Sequence, residues 1–337
     1  MKIAAWLAIS LWSEMMKRIF LAILLSLGLT QAALAADTGL IFISLERGNQ
    51  VVVLNPDLTV NTKIDTSRRP RDMHFNMDHT LLYVACGDDD TIDVIDVATL
   101  TDIDAIPTGP SPEMFQFNPD ETQIFVSNEE DSVMEVIDIA TKTVVDRVPT
   151  GAEPEGVINS VDGKYIFVTS EVADMVHVID RSKAAVLKNI IVGTRPRRFV
   201  VTPDGSELWV SDELSSEIHV IDISTLTIKD ALSFVPPGFR AEDVTPVGMT
   251  ITKDGSKILI TLGRANNLAI VDAKTREVLQ YVLVGSRAWD VDLSRDEKTA
   301  YVTNGLSDDI TIIDMESMTP IQSLSVGRTP HSIRVDD

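Results

Sequence analysis

Cysteine and histidine are scarce in this chain of 337 residues. The single cysteine, Cys86, excludes an internal disulfide bond, and no C-x-x-C or C-x-x-C-H spacing is present for a zinc site or an attached haem. We expect Cys86, which follows two apolar residues at a strand end, to be small, buried and inert. The five histidines form no ligand set, and no Ser/His/Asp signature or phosphate loop occurs, so we predict no metal site and no catalytic residue.

Basic residues are also few, with 29 Lys and Arg against 51 Asp and Glu and a net charge of −22. The first 35 residues carry three basic residues and one acidic residue, so the remainder has a net charge of −24. Such a surface repels nucleic acid and anionic lipid, which excludes a nucleic-acid partner, and it suits cationic partners. The alternative is an acidic surface that serves only solubility.

No run of apolar residues near the N-terminus is long enough to span a bilayer. The stretch 19–29 has 11 residues, follows Lys17 and Arg18, and precedes the cleavage-site pattern Ala33-Leu34-Ala35. We therefore predict a signal peptide at 16–35 and export to the periplasm. We also predict that Met16 is the true start, so that residues 1–15 are an extension that is not part of the protein. Residues 36–337 would form one domain that is not embedded in a membrane. An uncleaved anchor that begins at Met1 is the alternative.

A repeat fills the rest of the chain. Apolar strands end in an aspartate at Asp96, Asp138, Asp180, Asp222, Asp272 and Asp314. Successive aspartates are 42 residues apart, except for a gap of 50 between Asp222 and Asp272, and the apolar strand 51–54 supplies a seventh copy. A period of about 40 to 45 residues with several short strands is typical of propeller blades.

Each unit contains signals for four short strands. In the unit 123–164 they fall at 123–126, 133–137, 144–148 and 155–159, separated by turns. Residues 40–43 match the second strand of a unit, and residues 331–335 match the first. The sequence therefore predicts an all-β, seven-bladed β-propeller with four-stranded antiparallel blades, in which the C-terminal strand joins the first blade and closes the ring.

The repeated aspartates have a structural explanation. A Thr or Ser stands three residues after most of them, as in Asp138 and Thr141, which predicts an Asx turn. Pairs such as Asp162-Gly163 predict hairpin turns in which glycine supplies a positive φ. We therefore assign these residues to turns and look for function where the copies differ.

The segment Tyr301-Val302-Thr303-Asn304, with Ile312-Ile313-Asp314 after it, resembles the YVTN family of β-propeller repeats. Weaker copies begin at Tyr83, Phe125 and Phe167, and the resemblance covers residues 39–337. Behind a signal peptide, seven such repeats are similar to propeller proteins associated with alcohol catabolism that depends on pyrroloquinoline quinone. That resemblance implies an accessory, non-catalytic role beside a periplasmic quinoprotein dehydrogenase, a cytochrome or a transporter component. It provides no catalytic residues, and we expect a monomer.

The copies differ most at the residue that follows the proline of each connection between blades. In chain order these residues are Arg71, Glu113, Glu155, Arg197, Val247, Trp289 and His331. Because the ring closes, the connections near residues 287, 328 and 68 are neighbours, and we predict a basic arc beside Trp289 and His331, opposite an acidic sector. The candidate ligand-binding residues are Arg68, Arg69, Arg71, Arg195, Arg197, Arg198, Arg287, Trp289, Asp290, Arg328 and His331.

The arginine fork suits carboxylates, so the arc predicts an anionic small ligand. No cofactor is firmly implied; pyrroloquinoline quinone, a flat tricarboxylate that Trp289 could stack on, is the candidate. The alternative is that these arginines pair with neighbouring acids and seal the channel.

A second difference is the enlarged unit after Asp222, where residues 234–243 predict a semi-rigid loop. The candidate partner-binding residues are Phe234, Pro236, Pro237, Phe239 and Arg240. A neutral loop extension is the alternative. The acidic loops at 87–90 and 128–131 lack the calcium-loop pattern; they could dock a basic partner such as a soluble cytochrome or be simply solvated.

The predicted function is therefore binding, as a scaffold accessory to quinoprotein alcohol oxidation or to its transport system. The alternative is a lactonase-type hydrolase at the channel rim. Its residues would be His331, Arg328 and Arg71 with Glu113 or Asp290.

Overall fold

The computed structural model describes residues 37–336. The predicted extension at 1–15 and signal peptide at 16–35 lie outside this range, so both stay predictions. Within it the chain forms β-strands and two short 3-10 helices, at Ala241–Asp243 and Gly263–Ala265. The described residues contain no helix with the length and apolar character needed to cross a membrane.

The strands form seven antiparallel sheets of four, which confirms the predicted fold; strands and blades are numbered in chain order. Blade 1 contains β28 (Pro330–Asp336), β1 (Leu40–Leu45), β2 (Gln50–Leu54) and β3 (Val60–Asp65). Blade 2 contains β4 (Pro70–Phe75), β5 (Leu81–Cys86), β6 (Thr91–Asp96) and β7 (Thr101–Pro107). Blade 3 contains β8 (Pro112–Phe117), β9 (Gln123–Asn128), β10 (Val133–Asp138) and β11 (Thr143–Pro149). Blade 4 contains β12 (Pro154–Asn159), β13 (Tyr165–Ser170), β14 (Met175–Asp180) and β15 (Ala185–Ile191).

The remaining three blades follow the same order. Blade 5 contains β16 (Pro196–Val201), β17 (Glu207–Asp212), β18 (Glu217–Asp222) and β19 (Thr227–Ser233). Blade 6 contains β20 (Pro246–Ile251), β21 (Lys257–Leu262), β22 (Asn267–Asp272) and β23 (Val278–Leu283). Blade 7 contains β24 (Ala288–Leu293), β25 (Thr299–Asn304), β26 (Asp309–Asp314) and β27 (Thr319–Ser325). The first strand given for each blade lies innermost, and the seven inner strands contact one another around the central channel.

The ring closes where the two ends of the described chain pair. Strand β28 lies antiparallel to β1, with Ile41 opposite Val335 and Ile43 opposite Ile333. Ile333 and Ile43 are fully buried in the core between blades 1 and 7. The prediction that the C-terminal strand completes the first blade is confirmed.

The core lies between neighbouring blades. The two middle strands of each blade are covered on both faces, so they read as continuous apolar runs such as Ile-Phe-Val in β9, whereas outer strands such as β11 are mostly exposed. Cys86 is buried in this core, as predicted, and burial, reinforced by the Asp93 carboxylate, raises the pKa of its thiol far above the usual range. An un-ionised thiol is unreactive.

The turns follow the predicted chemistry. The Oδ1 atom of Asp138 accepts hydrogen bonds from the backbone N–H and the hydroxyl of Thr141, both at 2.8 Å. Gly163 has a φ of 66°, as a tight hairpin turn requires. The repeated aspartates are thus occupied by the backbone around them.

The ring has two faces with different loops. On one, the connections between blades lie beside the loops that join the second and third strands of each blade. For example, the Gly87 N–H donates to the Arg69 carbonyl at 3.0 Å, and the Leu306 N–H to the Ser286 carbonyl at 2.9 Å. We call this the rim face. The opposite, far face carries the loops between first and second strands, such as residues 76–80 and 160–164.

Candidate functional site

The inner strands bring the residue that follows each connection to the mouth of the channel on the rim face. Six of the seven are buried, and Trp289 is half-buried. Arg71 of blade 2 forms an ion pair with Glu155 of blade 4 at 3.3 Å. Because blade 3 separates these two blades around the ring, the pair spans the mouth rather than one blade edge.

A chain of ion pairs crosses the mouth. Arg71 Nη1 lies 2.8 Å from Glu113, and Glu155 links Arg71 to Arg197, whose Nη2 is 3.0 Å from the same carboxylate oxygen. Arg197 then donates a hydrogen bond to Glu171 from the neighbouring loop. These five side chains close the centre of the mouth.

Three more arginines extend this series of ion pairs outward from the centre of the mouth. Arg69 lies 2.9 Å from Glu113, Arg195 lies 2.9 Å from Glu171, and Arg287 lies 2.6 Å from Glu213. We call the whole set the mouth network: Arg69, Arg71, Arg195, Arg197, Arg287, Glu113, Glu155, Glu171 and Glu213. The mouth network contains five guanidinium groups and four carboxyl groups.

Burial and pairing shift the glutamates of the mouth network in opposite directions. Burial acts to raise the pKa of Glu155, but Arg197 and Arg71 outweigh it and bring that pKa to about 2. For Glu171, burial and the nearby Glu155 charge outweigh the arginines and raise the pKa to about 7. Burial also raises the pKa of Glu113. Glu155 is therefore the carboxylate that holds its charge most firmly at the centre of the mouth.

Trp289 and His331 lie beside the mouth network. The guanidinium carbon of Arg287 is 4.4 Å from the centroid of the Trp289 ring, and that of Arg197 is 5.6 Å away. The His331 ring centroid lies 5.4 Å from that of Trp289. Burial and the charges of Arg71 and Arg198 lower the pKa of His331 well below its usual value, so this imidazole is neutral.

A second cluster lies deeper in the channel. Asp290 accepts from Arg198 at 3.0 Å and from Arg334 at 2.9 Å, and Arg334 also reaches Asp72 at 3.1 Å. His74 holds the second oxygen of Asp72 at 2.9 Å. Burial opposes ionisation of Asp72, but His74 and Arg334 bring its pKa to about 2. We call these five residues the channel cluster.

The predicted separation of a basic arc from an acidic sector is wrong. Glu155 lies between Arg71 and Arg197 and pairs with both, so arginines and acids alternate across the mouth. Two predicted arginines lie outside both the mouth network and the channel cluster. Arg68 is exposed and pairs with Asp89 at 2.7 Å, and Arg328 is exposed without an ion pair in residues 37–336.

The comparison of repeats missed five of the fourteen residues in these clusters: Asp72, His74, Glu171, Glu213 and Arg334. Glu171 and Glu213 begin the loops between second and third strands, and Arg334 lies three residues after the position compared. A comparison of the repeats at that later position finds the signal. It reads His74, Gln116, Ile158, Val200, Thr250, Asp292 and Arg334.

The enlarged loop between blades 5 and 6 lies on the rim face, but its aromatic residues face inward. Phe234 is fully buried among Trp209 and the apolar residues of β18 and β21, and Phe239 packs against the same core. Pro236 is also buried, whereas Val235, Pro237 and Arg240 are exposed. Phe234, predicted to contact a partner, instead fixes the loop because its side chain contributes to the core.

The loops of the rim face fall into two groups around the closed mouth. Blades 4, 5 and 7 each present one exposed apolar side chain, from Val172, Leu214 and Leu306, with exposed fractions of 62%, 48% and 74%. Blades 2 and 3 present exposed acids at residues 88–90 and 130–131. No three His, Cys, Asp or Glu side chains within 37–336 are placed to hold a metal ion.

The residues of the lactonase alternative are not assembled. His331 has one nitrogen 3.5 Å from Arg198 and the other without a partner in the described chain. Neither Glu113 nor Asp290 bonds to it within residues 37–336, and Arg71 is occupied by two glutamates. A general base needs a substrate within reach and a partner that orients it, and His331 lacks the partner.

Two sequence families match the chain. A model of the YNCE-like beta-propeller family matches residues 5–207, and a model of the lactonase, 7-bladed beta-propeller family matches residues 162–337. Among proteins of curated function, none matches the sequence.

Several solved structures share the fold. Hydrazine synthase of Kuenenia stuttgartiensis is 21% identical, with 83% of this chain and 93% of that one covered and a TM-score of 0.75. The periplasmic gluconolactonase PpgL of Pseudomonas aeruginosa is 19% identical, over 88% and 98% of the two chains, with a TM-score of 0.74. The dihydro-heme d1 dehydrogenase NirN is 15% identical, over 90% and 76%, with a TM-score of 0.68. At these identities the similarity shows the fold alone.

Proposed function

Because the chain belongs to the YNCE-like beta-propeller family, and its second half to the lactonase seven-bladed beta-propellers, we propose that it works by binding a partner protein through its rim face. The observation that carries this proposal is the trio of exposed apolar side chains, Val172, Leu214 and Leu306, on three loops around a mouth filled by ion pairs. Apolar side chains that share one face with polar loops can supply the apolar part of a protein interface, whose rim is polar.

The charges of the rim face indicate the chemistry of the partner. The acidic loops of blades 2 and 3 lie on the same face as the apolar trio. A complementary partner has an apolar patch bordered by Lys and Arg, and the net charge of −22 speeds its approach.

We place this binding in the periplasm, as an accessory to alcohol oxidation by a quinoprotein. The partner would be the quinoprotein dehydrogenase, its cytochrome or a transporter component. The signal-peptide pattern at 16–35 and the YVTN-type repeats support this placement.

Replacing the apolar trio tests the surface. We expect Val172→Ser/Leu214→Ser/Leu306→Ser to weaken binding of the purified c-type cytochrome of such a dehydrogenase by about 100-fold, since three truncated contacts of about 1 kcal/mol each add up to that factor. Calorimetric titration measures it. A matched control, Met77→Ser/Val161→Ser, removes apolar groups of similar exposure from the far face.

The control should bind like the wild type. Equal binding by all three proteins, or a loss confined to the far-face variant, would contradict the proposal. If the cytochrome does not bind, the dehydrogenase and the transporter component are titrated in turn. Absence of binding by all three would contradict this choice of partner.

Binding of pyrroloquinoline quinone at the mouth also stays a proposal, and it requires the quinone to displace residues that are already paired. Its carboxylates would have to displace Glu113 and Glu155 from Arg71, and its ring would have to displace the Arg287 guanidinium from Trp289. The mouth as folded fits its own glutamates, so quinone binding would require the mouth network to open.

Lactone hydrolysis is the second candidate. It is favoured by the lactonase family match over 162–337 and by the structural similarity to a gluconolactonase. We expect no turnover of a lactone panel above the rate of the buffer. Hydrolysis that is lost in His331→Gln but kept in Val172→Ser would establish the hydrolase and overturn the binding account for the mouth.

A further inference from the structure

A cavity of about 240 Å³ lies in the channel beyond the mouth network, and residues from all seven inner strands line it. At about 30 Å³ per molecule this is the volume of roughly eight waters. Its walls lie one to three residues further along the inner strands than the mouth residues. The cavity is therefore separate from the rim face, and nothing below depends on the proposed docking there.

Several polar groups in the cavity wall have no partner in the protein. The side chains of Gln116 and Thr250 are half-buried and make no hydrogen bond within residues 37–336. The Nε atom of Arg198 is buried and has no acceptor. Gln116 and Thr250 therefore have hydrogen-bonding capacity free for a polar molecule that enters the cavity, and the buried Arg198 Nε is a further polar atom of this wall without a protein partner.

One carboxylate of the wall, Asp292, has no ion-pair partner within residues 37–336. Arg198 and Arg334 are both bound to Asp290, and Arg334 also to Asp72. Asp292 forms no ion pair in the described chain; its carboxylate accepts only from the backbone N–H groups of Val335 at 3.1 Å and Leu293 at 2.9 Å. A carboxylate in such a site favours a positively charged ligand.

Asp292 also faces outward. It lines both the channel cavity and a second pocket of about 310 Å³ that includes the loop between first and second strands at residues 294–297. The carboxylate therefore stands where the cavity meets the far face, which gives a ligand a route that avoids the mouth network.

We propose that the channel cavity binds a small organic cation, a protonated amine that also carries hydroxyl groups. Asp292 pairs with the ammonium group, and Gln116 and Thr250 bond to the hydroxyls. The apolar walls at Met114 and Met249 contact its carbon atoms. A metal ion is a poorer match, since no three ligating side chains converge anywhere in residues 37–336.

Three probes of one size separate the charge from the hydroxyls. The probes are 2-amino-1,3-propanediol, which carries one positive charge, glycerol, which is neutral, and glycerate, which carries one negative charge. In calorimetric titrations at pH 7 in phosphate buffer, we expect the amine to bind at least 10-fold more tightly than glycerol, and glycerate to bind least. No binding of any probe would mean that the cavity holds only water. Equal binding of the amine and glycerol would mean that the cavity does not distinguish a charged ligand from a neutral one. Either result overturns the proposal.

Two variants locate the binding. Asp292→Asn should lower the affinity for the amine at least 10-fold and leave that for glycerol unchanged, whereas Thr250→Val should weaken both. Asp296→Asn is the matched control, because it removes the same charge from an exposed position nearby. An equal loss in the control would assign the binding to the general acidic field and overturn the proposed site, and thermal unfolding of each variant verifies its fold.

Discussion

Replacing Glu155 by glutamine is expected to lower the free energy of unfolding by about 3 kcal/mol, because removing one member of a buried ion pair leaves an uncompensated charge. Glu155 is the carboxylate shared by Arg71 and Arg197, both of which are buried at the mouth. Glutamine keeps the shape and one acceptor but not the charge.

Urea unfolding of a chain of residues 36–337 measures this change. Glu130→Gln is the matched control, because Glu130 is exposed on the rim face, and its change should stay within about 0.5 kcal/mol. A loss below about 1 kcal/mol in Glu155→Gln would mean that the arginines are solvated rather than held by this carboxylate.

The pH dependence of the same pair of proteins gives an independent readout. The pKa of Glu155 is about 2 when folded, against an ordinary value of 4.5. A depressed pKa stabilises the folded state above pH 4.5, and this contribution of about 3 kcal/mol disappears as the pH falls toward 2. The stability difference between wild type and Glu155→Gln should therefore shrink as the pH falls from 4.5 toward 2.

Removing the closing strand should have a still larger effect. A chain that ends at Thr329 lacks β28, exposes the edge of β1, and opens the buried cluster around Ile43 and Ile333. A typical domain is stabilised by only about 5 to 15 kcal/mol, and this truncation removes a whole inner strand and leaves a free sheet edge. We expect no cooperative unfolding transition by circular dichroism.

Complementation separates ring closure from general damage. A peptide of residues 328–336 should restore the transition by adding a strand to β1, whereas the same peptide with Ile333→Asp should not. A truncated chain that unfolds cooperatively without peptide would show that closure contributes little.

The fold could be predicted from the sequence because its determinants repeat every 42 residues. Each blade contains the same strand lengths and Asx turns, so the copies support one another, and the strands predicted in the unit 123–164 agree with the observed ones within two residues. The ends of the chain were predictable for the same reason, since Ile41 and Val335 belong to adjacent strands of one unit.

The candidate site was predictable in position but not in pairing. The comparison of repeats located Arg71, Glu155 and Arg197 at the mouth, but their partners depend on side-chain reach across the channel. Arg71 and Glu155 are 84 residues apart and belong to blades that do not adjoin. The role of Phe234 could not be predicted either. An aromatic residue in an inserted loop can contact a partner protein or pack into the core of its own chain, and only the structure distinguishes the two.

The two proposed binding regions use different parts of the ring. The rim face offers apolar and acidic loops around a mouth filled by its own ion pairs, whereas the channel cavity is reached from the far face past Asp292. Loss of one function by mutation should therefore leave the other intact, which makes the two proposals separable by experiment.

Site-specific photo-crosslinking in intact cells tests the central claim, that this propeller works by docking a protein on its rim face. A benzophenone amino acid is introduced at Leu306 on the rim face or at Val161 on the far face, where exposures are 74% and 62%. The account predicts that Leu306 yields one discrete crosslinked protein with a basic surface and that Val161 yields none. The same product from both positions, or a product from Val161 alone, would contradict it.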